Sequence, residues 1–125
     1  MRFTLFATTT LLLAAADMSR GAQADTVAEI VTFRLTEGAD ASAFAQAAGG
    51  MSPFLRSTGA VLSRTLSVDE DGLWTDYIVW TSMQEAKAAA AEVMKEPGAA
   101  PFMQMIDPAS VNMRHATIRF DLTPE

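Results

Sequence analysis

A chain of 125 residues has the length of one domain, and 50% hydrophobic with 19% charged residues is typical of a globular protein that buries a core. This composition argues against a disordered chain, and the absence of cysteine excludes disulfides, thiolate metal sites and cysteine nucleophiles. The net charge of −6 disfavours phosphate backbones and anionic lipid headgroups, so we expect no nucleic-acid partner.

Residues 1–24 follow the three-part plan of a secretory signal peptide. Met1-Arg2 is the positive start, residues 3–16 are an uncharged and mostly apolar run, and Ala22-Gln23-Ala24 is a small-x-small cleavage site. The apolar run is shorter than the roughly 20 residues that a helix needs to cross a bilayer, so we expect no stable membrane insertion. Cleavage near Ala24 predicts a periplasmic or secreted domain of residues 25–125, with an earlier cut or an uncleaved tether as alternatives.

The mature chain opens with a predicted strand and a broken helix. Residues 27–35 (VAEIVTFRL) are rich in β-branched and aromatic side chains and end at a turn. Asp40 is a candidate N-cap for a helix whose apolar residues follow at spacings of three and four. Gly49-Gly50 and Pro53 predict a break, after which Ser52 can cap a second helical segment.

The next segment is typical of a β-hairpin followed by a helix. Two alternating runs, residues 61–68 and 73–81, flank the turn Asp69-Glu70-Asp71-Gly72, whose last two residues suit positive φ angles. Ser82 is the candidate N-cap of an alanine-rich helix that extends to about Lys95. Residues 111–122 alternate like a last strand.

This order of elements predicts an α+β fold, the ferredoxin-like βαββαβ split sandwich, with both helices on one face of an antiparallel sheet. Both sides of the third strand are apolar, with Trp74, Asp76, Ile78 and Trp80 on one side and Leu73, Tyr77 and Val79 on the other. A sheet with two apolar faces needs a second cover. A homodimer that packs sheet against sheet provides it and encloses a cavity.

Two segments resemble a known superfamily. Residues 29–35 (EIVTFRL) open the domain, and Trp80-Thr81-Ser82 with Ala86 forms the junction of the third strand and the second helix. They resemble the dimeric α/β-barrel superfamily, and within it the antibiotic-biosynthesis-monooxygenase-like small domains, over residues 26–122. The resemblance implies a dimer with a mostly apolar pocket between each sheet and its own helices. Some relatives oxidise polycyclic phenols without a metal or flavin, and others degrade haem.

The haem-degrading branch uses an asparagine on the first strand, a tryptophan at the end of the third and a histidine on the second helix. Trp80 matches the tryptophan, but the first strand has no asparagine and residues 88–91 are all alanine. The chain also has no phosphate-binding glycine loop and no metal-ligand spacing. We therefore expect neither a cofactor nor a metal.

His115, the single histidine, is the first candidate catalytic residue, because histidine titrates nearest to neutral pH and can take a phenolic or enolic proton. Alternation places it on one side with Met113. That side faces the dimer cavity if the more apolar side of the strand faces the helices. The alternative is a structural histidine hydrogen-bonded at the barrel mouth or the dimer seam.

Asp76 is the second candidate catalytic residue, because a carboxylate in mid-strand is costly to bury unless it is paired. Arg34 and Arg64 on the neighbouring strands are possible partners. Asp76 is either a polar anchor for a ligand, a member of a cross-strand or intersubunit ion pair, or an exposed residue near a sheet edge. The candidate substrate-binding residues are Trp74, Trp80, Arg34, Arg64, Ile78 and Met113. The two tryptophans are equally suited to packing a dimer core.

The sequence thus predicts an exported homodimer that holds a small apolar or aromatic compound. One hypothesis gives it cofactor-independent, monooxygenase-like chemistry with His115 as the base. The other is a non-catalytic ligand-binding or structural dimer.

Overall fold

The computed structural model describes residues 25–124. The signal peptide expected at residues 1–24 lies outside the described residues, so its cleavage stays a prediction. The sheet has four antiparallel strands in the order β2-β3-β1-β4: β1 (Val27–Phe33), β2 (Val61–Val68), β3 (Trp74–Trp80) and β4 (Asn112–Thr117). Between residues 25 and 124, no helix is both long and apolar enough to cross a membrane.

The two helical connections lie on one face of this sheet. Helices α1 (Ala41–Gly49) and α2 (Ser52–Ser57) connect β1 to β2, and α3 (Met83–Val93) and α4 (Ala100–Gln104) connect β3 to β4. Short 3-10 turns at Pro97–Ala99 and Pro108–Ser110 flank α4. The predicted α+β, ferredoxin-like fold is confirmed, with each helical connection divided into two pieces.

The first connection breaks where the sequence predicts. The Asp40 side chain accepts a hydrogen bond from the Ala43 backbone N at 2.9 Å and so caps α1. The predicted capping role of Ser52 is wrong, because Ser52 is already helical and Met51 occupies the N-cap position without a side-chain bond. Pro53 still lies in the first turn, where its missing N–H costs nothing.

The β2–β3 hairpin has the predicted bounds within one residue, and Gly72 in its turn has a φ of +81°. Near the other end of β2, the register shifts between Val61 and Ser63, which marks a β-bulge at Leu62. The bulge returns Arg64 to the helix-covered face, directly opposite Ile78. The bulge at Leu62 therefore places the Arg64 guanidinium group on the helix-covered side of the sheet.

Aromatic side chains fill the space between sheet and helices. Phe44 of α1 is fully buried, stacks on Phe102 of α4 at 4.8 Å and meets Trp74 of β3 edge-on at the same ring-centroid distance. Ala86 of α3 is also fully buried, and its small side chain is compatible with a close approach of that helix to the sheet. The main core cluster therefore lies on the helix-covered face.

The last strand is shorter than predicted. Strand β4 ends at Thr117, and Phe120 and Leu122 beyond it are 83% and 82% exposed. The alternation along residues 111–122 did not predict this end, because β4 is an edge strand that pairs only with β1. The first residue of β1, Val27, lies opposite Thr117, so the chain beyond Thr117 has no strand to pair with.

Candidate functional site

A cavity of about 230 Å³ lies between the sheet and the helices. Its walls are mostly aliphatic, aromatic and thioether side chains, and its ionisable lining residues are Glu29 and Asp76. The lining consists of Glu29, Val31 and Phe33 of β1, Asp76, Ile78 and Trp80 of β3, Met113 of β4, Met51, Phe54, Leu55, Ala89, Ala90, Val93, Met94, Phe102 and Met103 from the helical connections, and Ile106, Pro108 and Val111. An apolar cavity with few polar groups is the usual form of a small-molecule site.

The mouth of this cavity is marked by lining residues that are also exposed to solvent. Met94 is 72% exposed, and Met103, Val111 and Met113 are 39%, 43% and 49% exposed. These residues come from the end of α3, from α4 and from the start of β4. Because methionine is unbranched and polarisable, this rim can adapt to ligands of different outline.

Glu29 and His115 form a hydrogen-bonded pair at the cavity wall. They lie directly opposite each other in the β1–β4 register, and His115 Nε2 is 2.8 Å from Glu29 Oε2. The Glu29 side chain is 10% exposed and the His115 side chain 17%. Glu29 lines the cavity, while His115 stands behind it on the edge strand.

Burial raises the pKa of Glu29 above its ordinary value, because desolvation disfavours the ionised carboxylate. The hydrogen bond and the positive charge of His115 act in the opposite direction and offset part of this effect. The more distant charges of Asp76 and Arg64 raise and lower the pKa, respectively. A carboxylate with a raised pKa is a stronger base than an exposed one, so this group is suited to accepting a proton from a ligand.

Asp76 is held by Arg64 in a two-pronged ion pair. Arg64 Nε donates to Asp76 Oδ1 at 3.0 Å and Nη2 donates to Oδ2 at 2.7 Å. Arg64 Nη1 also donates to the Ala48 carbonyl of α1 at 2.8 Å, and the guanidinium carbon lies 5.3 Å from the centroid of the Phe102 ring. Asp76 is thus buried and forms the cross-strand ion pair that was one of its predicted alternatives.

The other predicted site residues divide into those at the cavity and those away from it. Trp80, Ile78 and Met113 line the cavity, as does Asp76. Trp74 packs in the core against Phe44, and Arg64 acts through Asp76. The indole Nε1 of Trp80 is buried and has no hydrogen-bond partner among residues 25–124.

Two predicted placements are wrong. Arg34 is exposed and does not pair with Asp76; its Nη1 donates to the Asp71 carbonyl of the hairpin turn at 2.7 Å. His115 was predicted to face a dimer cavity if the more apolar side of the last strand faced the helices; that condition is not met, and His115 shares the helix-covered side with Glu29. The face of an edge strand is set by its register with its one neighbour, so the hydrophobicity of β4 alone was a poor guide.

Glu29 is the site residue that the sequence reasoning missed. A signal was present, because Glu29 interrupts the otherwise apolar side of β1 formed by Val27, Val31 and Phe33. Its partner could not be found without the register between the first and last strands. Among residues 25–124, no group of three or more His, Cys, Asp and Glu side chains is arranged to hold a metal ion.

No protein-family model matches this sequence, and no curated protein matches it either. Solved structures do share its fold. SnoaB, a cofactor-independent oxygenase from Streptomyces nogalater, superposes with a TM-score of 0.61 at 19% identity, over 81% of this chain and 100% of that one. The monooxygenase ActVA-Orf6 from Streptomyces coelicolor, solved with nanaomycin D, gives 0.56 at 20% identity, over 82% and 95%.

A dimeric ferredoxin-like protein of unknown function from Thermobifida fusca gives a TM-score of 0.60 at 11% identity, over 77% of this chain and 93% of that one. At such identities the likeness shows the fold alone. The resemblance to antibiotic-biosynthesis-monooxygenase-like proteins is confirmed at that level: the chain has their ferredoxin-like fold, and its structural neighbours include monooxygenase-like and dimeric proteins.

The Arg64–Asp76 pair predicts an asymmetric response to mutation. Arg64→Ala leaves the Asp76 carboxylate, 5% exposed, without its partner, and we expect the free energy of unfolding in urea to fall by about 3–5 kcal/mol. The double variant Arg64→Met/Asp76→Leu removes both charges and should lose clearly less. Lys95→Ala, which breaks the exposed Lys95–Glu92 contact of 3.7 Å, is the control and should change stability by about 1 kcal/mol at most. A double variant as unstable as Arg64→Ala would contradict this account.

The raised pKa of Glu29 predicts a pH-dependent stability. Between its unfolded and folded pKa values the folded protein binds more protons than the unfolded chain, so this contribution is present at low pH and is lost as pH rises through the folded pKa. Glu29→Gln lacks the titration, so its Tm relative to the parent protein should increase from about pH 4 to about pH 8. In the exposed control Glu70→Gln the difference should stay flat. A value of Tm(Glu29→Gln) minus Tm(parent) that stays constant or falls as pH rises would refute the assignment.

Proposed function

We propose that this protein binds a small apolar or aromatic compound in the helix-side cavity and oxygenates it without a cofactor, in the manner of a monooxygenase. The observation that carries the proposal is an apolar cavity whose wall contains the buried Glu29, hydrogen-bonded to His115 on the neighbouring strand. The aliphatic and aromatic lining favours a hydrophobic ligand. The pair supplies a proton acceptor in a place where water is largely excluded.

The reaction fits a phenolic ligand. Loss of the phenolic proton to the buried pair leaves an electron-rich aryl oxide, which can pass electrons to O₂. For 1-naphthol, one O₂ is consumed, one oxygen atom enters the ring as the second carbonyl of 1,4-naphthoquinone, and the other leaves as water with two hydrogens of the substrate. The protein's part is to bind the ligand, take the proton and shield the anion from bulk water.

The structural neighbours support this proposal by analogy. One is a cofactor-independent oxygenase, and another is a monooxygenase whose structure holds nanaomycin D. The same scaffold can carry unrelated activities, so the local chemistry of the cavity carries more weight than the shared fold.

The size of the cavity restricts the ligand. An apolar cavity of about 150 Å³ in another protein accommodates benzene, so the cavity of about 230 Å³ suits a compound of about one or two aromatic rings. A polycyclic ligand would have to extend through the mouth between α3, α4 and β4.

Oxygen uptake tests the proposed activity. With 1-naphthol as the probe, we expect one O₂ consumed per 1,4-naphthoquinone formed, followed with an oxygen electrode and by absorbance. Ile78→Trp, which fills the cavity from β3, should abolish turnover, whereas Leu62→Ala at the exposed bulge should leave it unchanged. Tight binding of 1-naphthol with no oxygen uptake would refute the oxygenase activity and leave the non-catalytic alternative.

That alternative is a ligand-binding or structural protein without catalysis. It is favoured by the use of Asp76 in an ion pair with Arg64 and by the packing of Trp74 against Phe44, since both were candidate site residues and both stabilise the core. It predicts that substitution of His115 leaves the biological function intact.

We further propose that two copies pair through the open face of the sheet, the face opposite the helices. Ile30, Tyr77 and Val79 lie at its centre, on β1 and β3, and Tyr77 is 37% exposed. The β2 edge of this face carries Ser63, Thr65 and Ser67. An apolar centre with a polar margin is suited to a sheet-on-sheet contact with a second copy.

Export through cleavage near Ala24 is also part of the proposal. It is supported by the charge, length and small-residue pattern of residues 1–24. The domain that remains, from Asp25, contains every residue of the cavity wall. Its ligand would then be met in the periplasm or outside the cell.

Native mass spectrometry of the protein expressed as the full chain in a Gram-negative host tests both of these proposals. We expect the periplasmic fraction to contain a dimer whose subunits begin at Asp25. Tyr77→Lys should convert it to monomers by placing two like charges at the contact, while Glu70→Lys in the distant hairpin turn should not. Cytoplasmic, full-length subunits would rule out export, and a monomeric parent protein would rule out the dimer.

A further inference from the structure

We propose that Glu29 Oε1 is the ligand-contacting atom of the cavity, and that it accepts a hydrogen bond from a hydroxyl group on a compact aromatic ligand while His115 fixes the carboxylate from behind. This inference rests on the proposed function and specifies its ligand class as hydroxylated aromatic compounds of about one or two rings. In this proposal His115, which the sequence predicts as the base, is a positioning residue that acts through Glu29.

The hydrogen bonds of the two lining carboxylates differ. Both oxygens of Asp76 accept from Arg64, at 3.0 and 2.7 Å. Glu29 is bound to His115 through Oε2, and Oε1 has no hydrogen-bond partner among residues 25–124. The cavity wall therefore has one carboxylate oxygen with an unused capacity to accept a hydrogen bond.

Glu29 lies where its acceptor oxygen Oε1 can contact a ligand in the cavity. Glu29 is 7% exposed and lines the cavity together with Val31, Ile78 and Met113. Val31 and Ile78 flank it on the same face of the sheet, because Ile78 is its direct partner on β3 and Val31 is two residues along β1. An acceptor on a largely buried side chain among apolar groups favours a ligand that carries a donor.

His115 cannot take this role directly. Its Nε2 is occupied by Glu29 Oε2 at 2.8 Å, and His115 is not part of the cavity lining. It can hold the carboxylate in one orientation and favour its ionised form. The charged groups that act on Glu29 are His115 on β4, Asp76 on β3 and Arg64 on β2.

Paired ligands that differ in one hydroxyl group test the proposal. Binding of 1-naphthol and of naphthalene to the full chain is measured by isothermal titration calorimetry under argon, so that no oxygenation occurs. We expect the parent protein to prefer 1-naphthol by about tenfold or more, as for a hydrogen bond to a charged acceptor. In Glu29→Gln the preference should fall to about threefold or less, because the acceptor becomes neutral, while naphthalene binding is unchanged.

The positioning role of His115 is tested by the pH at which the preference appears. The preference should rise with pH as Glu29 ionises, and His115→Gln should move the midpoint of this rise to higher pH, since the charge that lowers the pKa of Glu29 is lost. A residue that only packs would leave the midpoint in place, so an unchanged midpoint overturns the role of His115.

The outcomes separate this inference from the proposed function. If both ligands bind and neither the parent protein nor Glu29→Gln distinguishes them, the aromatic-binding function stands and the Glu29 contact is wrong. If neither ligand binds, both are wrong. Circular dichroism of each variant shows whether a loss of binding reflects a loss of fold.

Discussion

The buried Arg64–Asp76 ion pair is the interaction that connects the layers of this protein. One guanidinium group joins β2 to β3 through Asp76, donates a hydrogen bond to the Ala48 carbonyl near the end of α1, and lies against the Phe102 ring of α4. Two desolvated charges are costly, and the cost is offset only when both oxygens and most of the N–H groups are satisfied, as they are here. The β-bulge at Leu62 makes this possible, because without it the alternation of β2 would direct the guanidinium to the other face. This contact therefore ties α1 and α4 to the sheet beside the cavity.

The two carboxylates of the cavity wall, Asp76 and Glu29, differ in their hydrogen bonding. Both oxygens of Asp76 accept hydrogen bonds from Arg64, whereas Glu29 is bonded to His115 through one oxygen and its other oxygen has no partner in the described part of the chain. A guanidinium stays charged at any pH at which the protein folds, but an imidazole can gain or lose its proton. The first pair is thus suited to a constant structural role, and the second to proton transfer. Structural and reactive groups lie on neighbouring strands, with Ile78 directly opposite Glu29 and Val31 directly opposite Asp76.

The order of strands and helices could be predicted from the sequence because local patterns mark where most of these elements begin and end. The cap at Asp40, the break after Gly49 and the turn at Gly72 are short-range signals, and the structure has all three where they were expected. The site was harder to predict because it depends on pairing between distant segments. Glu29 and His115 are brought together only by the β1–β4 register, and an edge strand contains too little hydrophobic pattern to reveal its face. The choice between Arg34 and Arg64 as the partner of Asp76 likewise depended on a bulge that alternation does not predict.

The asymmetry of the cavity indicates how a ligand would be oriented within it. The exposed methionines Met94, Met103 and Met113 surround the mouth, while Glu29 lies on the sheet at the inner wall. A hydroxylated aromatic compound would therefore enter with its polar group first, and its ring would remain against the apolar lining and the adaptable rim. In that orientation the hydroxyl proton meets Oε1 of Glu29, which has no hydrogen-bond partner within residues 25–124, and the ring stays in a region of low polarity. Binding and proton transfer would then require the same ligand orientation, so selection for the hydroxyl group would also place the reacting atom.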